Sequence, residues 1–91
     1  METHTIRLRA AWRIDGRVAT RRFNRPTNLG EQRVRLAWDG PVSAARLNDE
    51  PLSPASPTDV TALLRPHNEL AIETDSPGVL ETVRLEIAAA E

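Results

Sequence analysis

Apolar and polar residues alternate with period two along much of the chain, the spacing of strands with one buried and one wet face. Between Thr5 and Ile14, the residues Ile6, Leu8, Ala10, Trp12 and Ile14 share one face, and Thr5, Arg7, Arg9, Ala11 and Arg13 share the other. This predicts one long strand that runs into an Asp15-Gly16 hairpin turn. The return strand, Arg17 to Phe23, has two readings. A two-residue turn sets Trp12 opposite Ala19, Leu8 opposite Phe23 and Arg21 opposite Ala10 on the buried face. A three-residue loop with a bulge at Gly16 instead turns Val18 and Thr20 inward and Phe23 outward. Arg21 also suits a sheet margin, with its stem covered and its head in water.

Alternation resumes from Gln32 to Trp38, with Val34, Leu36 and Trp38 inward and Arg33 and Arg35 outward. Val42 to Leu47 predicts a short strand of small residues, and the proline- and serine-rich stretch 49–58 an irregular, extended connection. Asp59 to Leu64 is too short for a packed helix. It predicts a single helical turn, capped by Thr58 or Asp59 and stopped by Pro66. Glu69 to Thr74 places Leu70 and Ile72 on one face, and Glu81 to Ala88 does the same for Val83, Leu85 and Ile87. Turn signals recur about every ten residues, which points to a sandwich or barrel of six or seven strands. The expected core is Ile6, Leu8, Trp12, Ile14, Val34, Leu36, Leu47, Val60, Leu64, Leu70, Ile72, Val83, Leu85 and Ile87.

At 91 residues the chain suffices for one domain, residues 1–91, and no internal repeat divides it. It holds no cysteine, so disulfides and thiol chemistry are excluded. No apolar run is long enough for a membrane span and the first residues lack the regions of a signal peptide, so a cytoplasmic setting is the expectation. There is no lysine; all twelve basic residues are arginines. Residues 1–46 carry ten arginines and four acids, net +6, whereas residues 47–91 carry two arginines and nine acids, net −7. Either a basic face serves an anionic partner, or basic and acidic strands become neighbours and pair their solvent faces. The second reading is favoured, because a sandwich interleaves strands from both halves.

The stretch Trp12 and Arg21-Arg22-Phe23-Asn24-Arg25-Pro26 resembles the early part of the sugar-binding domain of family-2 glycoside hydrolases. Val34-Arg35-Leu36 and Arg46-Leu47-Asn48 resemble its next strands and their asparagine turn. Asp59-Val60-Thr61-Ala62-Leu63-Leu64-Arg65-Pro66-His67-Asn68-Glu69-Leu70-Ala71-Ile72-Glu73 resembles its Asp-Val-Thr, short helical turn, Asn-x-Leu, β-strand signature, and Val83-Arg84-Leu85-Glu86-Ile87 its final strand. The resemblance covers residues 10–88 and implies an all-β, jelly-roll-like antiparallel β-sandwich of the galactose-binding-domain-like fold with one short helical turn. In it, Asp59 caps a turn between sheets and Asn68 takes a left-handed conformation that leads back into a strand. Two features depart from the family pattern. Asn48-Asp49 stands where members carry Asn-Gly, and the stretch from Glu50 to Thr58 has prolines where members carry aromatics and glycines. The catalytic barrel of those enzymes is absent, so the resemblance implies no glycosidase activity.

Candidate chemistry is sparse. His4 and His67 belong to no acid–histidine–nucleophile motif, no Gly-x-Ser-x-Gly elbow exists, and Glu69, Glu73, Glu81 and Glu86 read as solvated faces. No catalytic residue and no cofactor is therefore expected. Asp39, Asp49, Glu50 and Asp59 are oxygen donors near loops, without the spacing of a calcium loop. A sugar site would sit at loop ends, with Trp38, Asp39, Asn48 and Asp49 as its candidate residues. The leading expectation is a non-catalytic accessory module that binds carbohydrate weakly or serves protein contact. The alternative is an anion or single-stranded nucleic-acid binder that uses Arg7, Arg9, Arg13, Arg33 and Arg35 on wet faces.

Overall fold

A computed structural model describes residues 3–89. They form two antiparallel sheets packed face to face, the all-β sandwich that the alternation predicts. The strands are β1 (His4–Arg7), β2 (Arg13–Asp15), β3 (Val18–Asn24), β4 (Gln32–Ala37), β5 (Ala44–Leu47), β6 (Glu50–Leu52), β7 (Thr58–Asp59), β8 (His67–Glu73) and β9 (Arg84–Ala89). One sheet has the order β1-β9-β4-β7 and the other the order β2-β3-β8-β5-β6. From β3 onward the chain passes back and forth between the sheets, so that strands from its two halves alternate. This interleaving puts Val34, Leu36, Leu47, Leu70, Ile72, Val83 and Leu85 between the layers, each 1% exposed or less.

The first alternating stretch is not one strand. β1 pairs with β9 in one sheet and β2 pairs with β3 in the other, so the chain crosses between layers from Leu8 to Trp12. Ala11 takes a left-handed backbone (φ 66°) in this crossing, and the Trp12 indole N–H donates to the Leu8 carbonyl at 2.7 Å. Leu8 stays buried and Trp12 is half-buried against the core, but Ile14 is 59% exposed and leaves the expected core. The physical reason is its position. It sits on an edge strand at the margin of the five-stranded sheet, beyond the cover of the opposite layer.

The hairpin has a two-residue turn, but that turn is Gly16-Arg17, because Asp15 pairs with Val18 and Ile14 with Ala19. Ala19 and Phe23 face inward, as the two-residue reading requires, while the partners shift by two positions. Arg21 shares their face, and its guanidinium reaches the margin and donates to the Ala10 carbonyl at 2.6 Å.

The chain between residues 49 and 58 is more regular than expected. Asn48 (φ 52°) and Asp49 (φ 68°) form a tight hairpin turn into β6, and the stretch ends in β7. Two left-handed residues in succession are what a two-residue hairpin of this hand requires. The expected helical turn is a 3-10 turn at Thr61–Leu63, and a second 3-10 segment, Pro77–Thr82, buries Val79 and Leu80. Ala19, Leu29, Ala37, Trp38, Ala45, Val79 and Leu80 complete the buried apolar set.

Candidate functional site

The four expected site residues do not converge. Trp38 follows β4, is 4% exposed and lies in the core; its backbone N–H donates to the Ser56 hydroxyl. Asp39 is exposed. Its N–H donates to the Thr82 hydroxyl and its carboxylate pairs with Arg84 at 3.4 Å. Asn48 and Asp49 follow the far end of β5, which starts beside the Asp39 side of the sandwich and runs away from it. Four strand residues separate the pairs by about 13 Å along the sheet.

Asn48 and Asn68 are brought together instead. The Asn48 amide N–H donates to the Asn68 side-chain carbonyl at 2.9 Å and to the Leu63 backbone carbonyl at 3.1 Å, and the Asn48 side-chain carbonyl accepts from the Glu69 N–H at 2.9 Å. Asn68 is 3% exposed. Its carbonyl also accepts from the Arg65 N–H at 2.8 Å, and its amide donates to the Arg65 and Phe23 carbonyls at 2.8 and 3.3 Å. Asn68 lies within β8 and is not left-handed; its work is to tie the 3-10 turn, β3 and the β5–β6 turn to one point. A buried amide with every donor and acceptor engaged fixes those loops in register.

Beside this staple, on the solvent face of the five-stranded sheet, lie two adjoining hollows of about 450 and 310 Å³. Arg13, Thr20, Arg21 and Arg22 line the first, and Asn48, Asp49, Arg65 and His67 line the second. Arg22 and Glu69 line both, paired at 3.5 Å with the Arg22 side chain 89% exposed. Cross-strand pairing accounts for the placement, since Arg22 stands opposite Glu69 and Asn24 opposite His67. The His67 ring nitrogen Nδ1 is held 3.0 Å from the Asn24 side-chain oxygen. No Phe, Tyr or Trp ring lines either hollow. The groove escaped sequence reasoning because Arg13, Arg22 and Arg65 lie on three separate segments that only the β3–β8 and β2–β3 pairings unite.

The rest of the arginines do not form a single basic face. Arg7 and Arg13 stand on different sheets. Arg33 pairs with Asp59, Arg35 with Glu86, and Arg17 with Glu73 and Asp75. Basic strands of the first half thus meet acidic strands of the second, as the favoured charge reading requires. Arg84 bridges Asp39 and Glu86; burial pulls its pKa down, but the two carboxylates outweigh this and hold it above the ordinary value. Burial raises the Asp59 carboxyl, yet the Thr61 N–H and hydroxyl and the Arg33 guanidinium together hold it below the usual aspartate value. Among the described residues no three of the His, Asp and Glu side chains are grouped to hold a metal ion, so Asp39, Asp49, Glu50 and Asp59 form no such group. No helix among them is long and apolar enough to cross a membrane.

Comparison with protein-family models, curated proteins and solved structures gives no match.

Proposed function

We propose that this chain is a non-catalytic binding module of jelly-roll, galactose-binding-like type, and that it takes an acidic saccharide in the groove over β2, β3 and β8. The observation that carries this reading is the pair of adjoining hollows sharing Arg22 and Glu69, with Arg13 lining the first and Asn48, Arg65 and His67 lining the second. Guanidinium forks suit carboxylate or sulfate groups, and the imidazole and carboxylate groups suit sugar hydroxyls. Neutral-sugar stacking is less well supported, because Trp38 is buried and Trp12 packs against the core with its N–H engaged. Single-stranded nucleic acid is less well supported, because no Phe, Tyr or Trp ring lines the groove for bases to stack on. The non-catalytic part rests on the carboxylates: Glu69, Glu73 and Glu86 each face an arginine rather than each other across a cleft. The jelly-roll part rests on the alternation of strands between layers and on the pairing of β1 with β9, which joins the two ends of the chain.

The test is an amide-resolved NMR titration with uronate-containing, sulfated and neutral oligosaccharides at low and high salt. Acidic sugars should shift the amides of Arg22, Arg65, His67 and Asn48. The shifts should weaken as salt rises, and Arg65→Ala should abolish them while leaving the spectrum dispersed. Shifts with neutral sugars alone, or shifts confined to the Trp38–Asp39 end, would overturn the assignment.

A further inference from the structure

β2 is an edge strand of three residues, Arg13-Ile14-Asp15, and its outer side has no partner among the described residues. Asp15 and Val18 flank a two-residue turn, so they bond to each other, as do Arg13 and Thr20 two positions on. Ile14 lies between these bonded pairs and turns its N–H and C=O toward the open edge. Its side chain is 59% exposed, the most exposed large apolar group of the molecule's described residues. Arg13 and Asp15 are also exposed and project together from the other face of the strand. The strand is held in place by Arg17 at the hairpin turn, whose guanidinium pairs with Asp75 at 2.6 Å and whose carbonyl accepts from the Thr74 N–H.

The sequence of this edge is complementary to itself. An antiparallel partner strand centred on Ile14 would set Ile14 against Ile14 of a second copy, with two N–H···O bonds between them. In the same register Arg13 faces the second copy's Asp15 and Asp15 its Arg13, each as a close pair on the outer face. The exposed isoleucines cover one another on the opposite face. A two-fold axis through this point meets every requirement of an isologous contact: same patch, free backbone groups, opposite charges, apolar centre. We propose that β2 is a self-association edge, through which two copies of this chain join their five-stranded sheets into one continuous sheet. The contact is small beside the roughly 1,200 Å² of a stable interface, so the dimer it makes is a weak one.

The full chain should be followed by sedimentation equilibrium from micromolar to millimolar concentration. We expect concentration-dependent dimerisation. Asp15→Arg, which sets Arg13 against a like charge twice per dimer, should weaken it about tenfold or more. The double variant Arg13→Asp with Asp15→Arg exchanges the charges but keeps them complementary, and should restore association. Both positions are exposed, so an unchanged thermal midpoint serves as the folding control. A chain that stays monomeric at millimolar concentration, or a double variant as impaired as Asp15→Arg, would overturn the proposal. Asp15 lines neither hollow, so loss of association and loss of saccharide binding are separable results.

Discussion

Replacing Asn68 by Asp changes one atom group in the staple beneath the groove and leaves its shape intact. The wild-type side chain accepts from the Arg65 N–H and the Asn48 amide, and donates to the Arg65 and Phe23 carbonyls. An aspartate keeps the two accepting contacts, but it turns a second oxygen toward both carbonyls. Two donated bonds are lost, at roughly 1 to 1.5 kcal/mol each, and a charge is placed on a side chain that is 3% exposed. At neutral pH the cost should therefore reach about 2 to 4 kcal/mol, a large part of the stability of so small a domain. The introduced carboxyl escapes much of this by taking up a proton, since the protonated acid can donate to one of the carbonyls. Its folded pKa is then raised above the unfolded one, the folded state binds more protons, and the variant loses stability as pH rises. Urea denaturation followed by tryptophan fluorescence at pH 4.5 and pH 7.5 measures both quantities, because Trp38 is buried and Trp12 half-buried. The deficit relative to wild type should be large at the higher pH and shrink at the lower. A variant with the wild-type midpoint at pH 7.5, or a deficit that ignores pH, would refute the donor role of the Asn68 amide.

Asp49→Gly should stabilise the chain by about 0.5 to 1 kcal/mol, because Asp49 holds φ 68° in the β5–β6 turn; the urea midpoint checks this, and an unchanged or lowered value would place the side chain in a contact that offsets the strain. Asp59 has the opposite pH sign to the aspartate introduced at position 68. Its pKa is held below the unfolded value, so its contribution is present at neutral pH and is lost as pH falls below about 4. Asp59→Asn should lower stability at neutral pH and converge with wild type in acid, as thermal midpoints across that range would reveal; parallel curves would sink the idea.

The sandwich was legible because period-two alternation survives wherever a strand lies between two layers. Val34 and Leu36 in β4, Leu70 and Ile72 in β8, and Leu85 and Ile87 in β9 are all found where parity places them. The same signal misled at Ile14, since alternation reports which face a residue shares and not whether anything covers that face. Nor does parity reveal that a chain changes sheets. Ile6 and Ile14 keep the same phase across Ala11, yet they belong to different layers, because a single left-handed residue redirects the backbone without disturbing the count. The small residues Ala19, Ala37 and Ala45 were absent from the expected core for another reason: an alanine has little apolar surface to bury, and its burial follows from what stands opposite it.

The site was less legible, and Asn68 shows where a signal nonetheless existed. Counting back by twos from Ile72 and Leu70 reaches position 68, so β8 itself assigns this asparagine to the buried face. A buried amide needs two acceptors for its N–H groups and donors for its oxygen. Such a residue therefore predicts a polar partner at the neighbouring strand end, and Asn48, at the turn after a strand of matching parity, was the available amide. Read this way, both asparagines are consumed by each other, and a ligand must use what the staple leaves outside. That remainder is the ring of exposed groups carried on the loops and strands that the staple holds: Arg65 on the connection after the 3-10 turn, His67 and Glu69 on β8, and Arg22 opposite Glu69 on β3. Any binding in the groove would thus be coupled to stability through one buried amide. Asn68→Asp should loosen the register of Arg65 and Arg22, and weaken any ligand of the groove even at temperatures where the chain remains folded.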